Sequence, residues 1–351
     1  MSLKKFLITL ALCLAGVWLF IYTLKSANLK EVAFYLKSFF SWKFVLLLIV
    51  AFFSIIFISA YRCYLILKHK RQNPKFWNVI WAELVGFAFS YLTPVTFIGG
   101  EPLRYAVLRE GSNIEPVFAI SAIAIEKMIL FLMVVVAFLL GIAFFFVYIP
   151  LSFEIQMGVL SFLLIGMMVF LWFYYKVRKI IKQKGLLRWL LDRLYLSKLK
   201  SVKKYGDNIN EIEQEIVVFF TKRTKTRQKI FWLSVLEVIV DIGFIWLVVW
   251  YVTGYLSLGK VLVINNAINF SALMPLPAAL GSSEISQSYV FSNIGLVSEK
   301  GISFSLFLRT IYLVFSLAGV IIFVIYQINY IKDKLLKVFQ KWIFFLSQNG
   351  C

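Results

Sequence analysis

Long apolar runs, separated by short polar connections, set the plan of this chain. They fall at Phe6–Leu24, Phe44–Leu67, Trp77–Phe97, Val117–Ile149, Phe153–Tyr175, Ile230–Val252, Lys260–Met274 and Ile302–Ile328. Each is about 15 to 33 residues, against the roughly 20 that cross a ~30 Å hydrocarbon core as helix. The pattern predicts an all-α polytopic membrane protein with about eight transmembrane helices. Val117–Ile149 is long enough to tilt or to project from the bilayer. Phe6–Leu24 is longer than a signal-peptide core and lacks a small-x-small cleavage site, so it is expected to remain as the first helix.

Two runs end in stretches unlike ordinary loops. After Tyr91 comes "TPVTFIGGEPLRYAVLRE", and after Leu273 comes "MPLPAALGSSEISQSYVF". Setting Pro94 against Pro277 places Glu101 on Glu284, Glu83 on Asn266, and Glu126–Lys127 on Arg309–Thr310. Both stretches are expected to be re-entrant hairpins. Their turns lie at Pro94, Gly99, Gly100 and Pro102, and at Pro275, Pro277 and Gly281. Half-helices follow, Pro102–Gly111 in the first and about Glu284 to Gly295 in the second. Non-helical backbone at membrane depth survives only where protein or a cavity covers it. Gly99 and Gly100 are read as supplying backbone freedom. Pro102 suits the first helical position, and Ser282 and Ser283 are candidate caps.

Charge then orients the units. The formal net charge is +20, concentrated in Leu67–Lys75, in Lys176–Lys229 and after Ile331. Basic segments are retained on the cytoplasmic side, which places both termini there. The first hairpin then opens and closes inside and the second outside, an inverted-topology repeat of the kind found in transporters. The domains read as 1–42, a first helix and connection; 43–150, a first repeat; 151–229, a linking helix and basic amphipathic segment; 230–330, a second repeat; and 331–351, a basic tail. Lys25, Lys30 and Lys37 fit this scheme badly, and their segment reads as a short interfacial helix.

Composition narrows the chemistry. The chain is 61% hydrophobic and 15% charged, a balance that fits a membrane rather than a soluble domain. Its positive excess suits anionic lipid at the inner surface, and nothing supports nucleic-acid binding. Cys13, Cys63 and Cys351 have no pairing pattern and His69 is the single histidine. No disulfide framework, metal site or cofactor is therefore expected. What remains is charge inside apolar helices, which is costly and tends to be functional. Glu101 and Glu284 either cap their half-helices or face a polar cavity and take a cation or proton. Arg104, one turn from Glu101, pairs with it or contacts phosphate. Glu126, Lys127 and Arg309 either pair mutually or line the same cavity. Glu237 and Asp241 share a helix face and are candidates to answer Arg62, and Asn265, Asn266 and Asn269 suit interhelical hydrogen bonds.

At these residues the chain resembles a known family. "LTPVTFIGGEPLRYAVL" looks like a P-x-x-x-G-E-P-x-R signature. "AIEKMIL" resembles a Glu-Arg pair opening the next helix, with Lys127 where Arg is usual. "MPLPAALGSSE" resembles P-x-P-G-G-L-G-x-x-E, with Ala278 and Ala279 in place of the glycines. The family is the lysylphosphatidylglycerol synthase transmembrane domain, or flippase-like domain. The resemblance implies a bacterial or archaeal inner-membrane protein that moves a phospholipid or lipid-linked glycan between leaflets. Fused members carry an aminoacyl-transferase domain that this chain is expected to lack. The alternative expectations are a membrane-embedded lipid-modifying enzyme subunit, a scaffold for envelope lipid synthesis, and assembly as a homo-oligomer or with a partner enzyme. The expected headgroup site comprises Glu101, Arg104, Glu126, Lys127, Ser282, Ser283, Glu284 and Arg309.

Overall fold

The computed structural model describes residues 3–70, 72–94, 99–149, 206–221, 224–254 and 257–348, with the isolated positions 154, 157, 161 and 168. Most of the expected span Phe153–Tyr175, the basic stretch 176–205 and the turn residues 95–98 lie outside it. Among the described residues all regular structure is helical. In chain order the helices are α1 (Leu3–Ser26), α2 (Leu29–Ser38), α3 (Trp42–His69), α4 (Phe76–Leu92), α5 (Glu101–Ser112) and α6 (Pro116–Tyr148). There follow α7 (Gly206–Thr221), α8 (Lys225–Thr253), α9 (Leu258–Leu273), a 3-10 turn at Pro277–Ala279, α10 (Ser282–Asn293) and α11 (Ser298–Gln348).

Among the described residues, four helices are long and apolar enough to cross a membrane: α3, α6, α8 and the Ser298–Ile328 part of α11. A fifth span is available if α1 and α2, bent by 100° at a short break, count as one. Asn28 makes that break by capping α2, its side chain accepting from the Lys30 amide at 3.2 Å. The segment expected at the interface is thus a separate helix. The expected spans Trp77–Phe97 and Lys260–Met274 are the short helices α4 and α9, of 17 and 16 residues. Each is about 25 Å long at 1.5 Å per residue.

Both short helices begin hairpins. After α4 the chain reverses into the 12-residue α5, which runs back along it. Gly100 meets Gly86, Asn78 donates to the Gly111 carbonyl, and the Lys75 amide reaches Ser112 Oγ at 3.3 Å. After α9 it reverses into the 12-residue α10. Ser282 donates to Ser271 O at 3.2 Å, Gln287 to Ile264 O at 3.3 Å, and Lys260 Nζ to Ile294 O at 2.8 Å. Each hairpin therefore returns to the end at which it began.

The turns differ in physical cause. Gly100 has φ −89°, open to any residue. It is required because a Cβ there would overlap the backbone of Gly86. The expected use of Gly100 for an unusual dihedral is therefore corrected to close approach. Gly281 does turn the chain, with φ +80°. Ahead of it Ala278 and Ala279 sit at φ 52° and 48°, where a Cβ crowds the backbone at about 1–2 kcal/mol per residue. Ala278→Gly and Ala279→Gly are each expected to raise stability by about 0.5–1 kcal/mol, net of glycine's larger entropy cost. Thermal unfolding in detergent micelles checks this.

The packing joins the N-terminal and C-terminal halves through three antiparallel helix pairs. α3 and α8 run antiparallel, with Arg62 beside Ser234 and Glu237, Phe52 near Phe244, and Phe44 stacked on Tyr251 at 3.8 Å. α4 lies antiparallel on α11 through Leu84 and Ala88 against Gly319, Phe87 on Tyr312, and Asn78 on Tyr326. In the same way α9 lies on α6, through Asn266 on Gly141 and the Phe138 carbonyl and through Ser257 on Tyr148. Lipid gives apolar helices no hydrophobic reason to associate, so close glycine contacts and interhelical hydrogen bonds carry much of this packing. An aromatic cluster of Phe52, Phe87, Phe244, Tyr312 and Phe315 fills the centre. At one end α7 packs against α6, and Glu215 pairs with Lys70 at 2.5 Å. Burial there pulls the Lys70 ammonium below the usual lysine range, partly opposed by Glu215.

Candidate functional site

The buried stripe of α6 runs Ala119, Ala122, Glu126, Ile129, Met133, Ala137, at steps of three and four. That spacing points Glu126 into the helix packing. On α3 the inward positions Ser59, Arg62 and Ile66 do the same for Arg62. On α4 Glu83 lies within a buried run, and on α5 Arg104 sits one turn into the helix. These four charged side chains meet. Glu126 bonds Arg62 at 2.9 Å and also Arg104. Arg104 in turn holds Glu83 at 2.5 Å, and Arg62 holds Glu237 of α8. Ser59 Oγ donates to Glu83 at 3.0 Å and to Glu126 at 2.8 Å. Such a network persists away from water only because every carboxylate in it faces a guanidinium.

Glu101 opens α5 at the margin of this cluster. It forms an ion pair with Lys127 at 2.7 Å and lies 3.6 Å from Arg104 Nη1. Arg104 Nε, Arg104 Nη1 and Glu101 Oε2 are buried without hydrogen-bond partners. Lys127 is the accessible member, with its side chain 36% exposed, whereas that of Arg104 is 1% exposed.

The second hairpin carries a smaller cluster. Glu284 is wholly buried and accepts from the Gly281 amide at 2.9 Å, from Ser305 at 3.1 Å and from Arg309. Its closest approach to Arg309 is 2.7 Å. Arg309 also reaches the Ala279 carbonyl at 3.4 Å and lies over the Phe20 ring of α1 at 5.5 Å. Glu284 thus caps α10, while the expected serine caps are not made. Ser282 donates to the Ser271 and Ala279 carbonyls and Ser283 pairs with Ser305 at 2.7 Å. The half-helix starts at Ser282, not Glu284, because Gly281 already turns the chain. Pro102 is the second residue of α5 rather than its first.

The structure places the expected site residues in two groups. Glu101, Arg104, Glu126 and Lys127 fall in the first, and Ser282, Ser283, Glu284 and Arg309 in the second. Glu126 and Lys127 do not pair with each other but serve different partners. Of the hairpin-turn residues, Pro94 follows α4, Pro275 follows α9, and Pro277 opens the 3-10 turn. Sequence reasoning missed Ser59, Ser234 and Ser305, whose hydroxyls complete both clusters. Serines at helical spacing from Arg62, Glu237 and Arg309 were the available signal. Among the described residues no group of His, Cys, Asp and Glu could hold a metal ion.

Comparison with known proteins gives one family: the model described as lysylphosphatidylglycerol synthase TM region matches residues 6–319. No curated protein matches the chain.

Proposed function

The chain belongs to the lysylphosphatidylglycerol synthase TM region family, a family of lipid-handling membrane proteins, and from that premise we propose that it is a lipid or lipid-linked-glycan translocase. It is a multi-pass membrane protein. One observation carries the reading. In both halves the hairpin glutamate is held at 2.7 Å by a cation on the long helix that follows, Glu101 by Lys127 and Glu284 by Arg309. The two halves then read as an inverted-topology repeat with re-entrant hairpins. The antiparallel pairing of α3 with α8 supports this, because a twofold exchange of antiparallel helices has its axis across them. So does the matching pair of contacts, α4 on α11 and α9 on α6. Broken helices at a repeat interface are where such transporters hold their substrates.

A charged headgroup enters on the side of Lys127, whose ammonium and the free donors of Arg104 take phosphate. Glu101 receives the cationic part or a proton, and the acyl chains stay in the bilayer. Glu284 is buried against its own helix end and acts chiefly on structure, with Arg309, Ser282 and Ser283 ordering the second turn. Basic segments at the inner surface hold anionic lipid, with both termini cytoplasmic at a bacterial or archaeal inner membrane.

Leaflet exchange of fluorescent phosphatidylglycerol in proteoliposomes tests the reading. Glu101→Gln is expected to stay folded and lose at least tenfold in exchange rate. Glu284→Gln is expected to lower the unfolding temperature instead. Wild-type protein that exchanges neither anionic, neutral nor aminoacylated headgroups counts against general translocation and favours an enzyme subunit or a scaffold.

A further inference from the structure

Asp241 stands at the middle of α8, a span running from Lys225 to Tyr251. Its helix face is the inward one. Ser234, Glu237, Phe244, Ile245 and Val248, at steps of three and four around it, are all buried. Asp241 itself is only half-buried.

Unlike the other acids in the two clusters, Asp241 has no ion pair or hydrogen bond among the described residues. Arg62 is already engaged by Glu237, one turn from Asp241 on the same helix face, and by Glu126. Titratable groups on neighbouring helices include Cys63 on α3, Glu126 and Lys127 on α6, Glu83 and Tyr91 on α4, and Tyr312 and Arg309 on α11. From α9 the only one is Lys260, at its far end. The Tyr312 phenol lies within electrostatic reach of both Asp241 and Tyr91. Tyr91 and Tyr312 meet edge to face at 5.5 Å, and Tyr91 lies within electrostatic reach of Arg309. One turn beyond Tyr312 on α11, the Ser316 hydroxyl is buried without a partner. Tyr312 and Tyr91 thus stand between Asp241 and the Arg309–Glu284 pair.

We propose that Asp241 is a proton-binding site that links the two charge clusters. A carboxylate in the membrane with no cation beside it lowers its cost by taking up a proton. A metal ion suits it poorly, since hard cations want about six oxygens and the neighbours here are phenols and a carboxylate bound to arginine. With Glu83, Glu101, Glu126 and Glu237, Asp241 makes five carboxylates against Arg62, Arg104 and Lys127. Proton uptake on one Asp241 oxygen reduces that excess without breaking a pair. Proton binding does not depend on the translocase reading; its use as the coupling step does.

Infrared difference spectra of the full chain in lipid vesicles, between acid and alkaline buffer, test the site directly. Wild type is expected to show a carboxylic-acid C=O band at acid pH. Asp241→Asn is expected to lose one component of it, and Asp241→Glu to keep that component at a shifted frequency. If Asp241→Asn does not fold, the shift in Asp241→Glu decides. A wild-type band unchanged in these variants, or no titrating carboxyl band, overturns the proposal. Leaflet exchange measured on the same vesicles separates the two readings. A band component lost in Asp241→Asn with no wild-type exchange keeps the proton site and removes the translocase. Exchange with an unaltered band does the reverse.

Discussion

Arg104→Met is expected to cost about 3–5 kcal/mol of folding stability, the usual loss when one partner is taken from a buried ion network. A whole domain is stable by only about 5–15 kcal/mol, so expression should fall as well. The reason lies in what stays behind. Glu83 and Glu126 both point at Arg104, and Glu101 borders it. Methionine fills the volume and leaves those carboxylates without their shared counter-charge. Arg62 still holds Glu126 but is already committed to Glu237. Adding Glu126→Gln to Arg104→Met should recover about 1 kcal/mol or more, because the two residues are coupled. Thermal unfolding of all three proteins in one detergent measures this. An Arg104→Met protein as stable as wild type sinks the network account.

Gly100→Ala is expected to be the most harmful single-methyl substitution in the first hairpin. The new Cβ would coincide with the Gly86 backbone, which has no rotamer by which to move aside. α4 and α5 must separate, at a cost of about 1–3 kcal/mol or more. That shift also moves Arg104, whose side chain lies over Gly86. Gly243→Ala is the matched contrast, because nothing lies within 4 Å of a Cβ there. It should gain about 0.5–1 kcal/mol from the better helix former. Equal unfolding temperatures for the two variants would contradict the close-approach explanation.

Much of this was legible in the sequence, for local reasons. Proline and paired glycine beside glutamate announced a broken helix at Gly99–Pro102, and the spacing of Glu101 and Arg104 put them on one face. The shared face of Glu237 and Asp241 pointed to Arg62, and Glu237 does pair with it. What was not legible depends on tertiary meeting points. Glu126 is contiguous with Lys127 in sequence, yet it turns the other way and joins two arginines from different helices. Aligning Glu101 with Glu284 hid a two-residue difference in helix start. Glu101 is the first residue of α5 and pairs outward; Glu284 is the third of α10 and caps inward. That difference originates in the positive φ of Gly281, which the matched proline spacing does not reveal.

The exchanged packing of the two halves bears on how the chain is made. α4 rests on α11 and α9 rests on α6, while Arg62 waits for Glu237. During synthesis the first hairpin therefore forms without its final neighbour, and the last long helix completes its packing. A ribosome that stops before Ser298 leaves the α11-facing side of α4, with Phe87 and Asn78, against lipid. Quality control by membrane proteases should accordingly be governed by arrival of the C-terminal helix, and chains truncated ahead of it should be cleared rather than accumulate as a stable half.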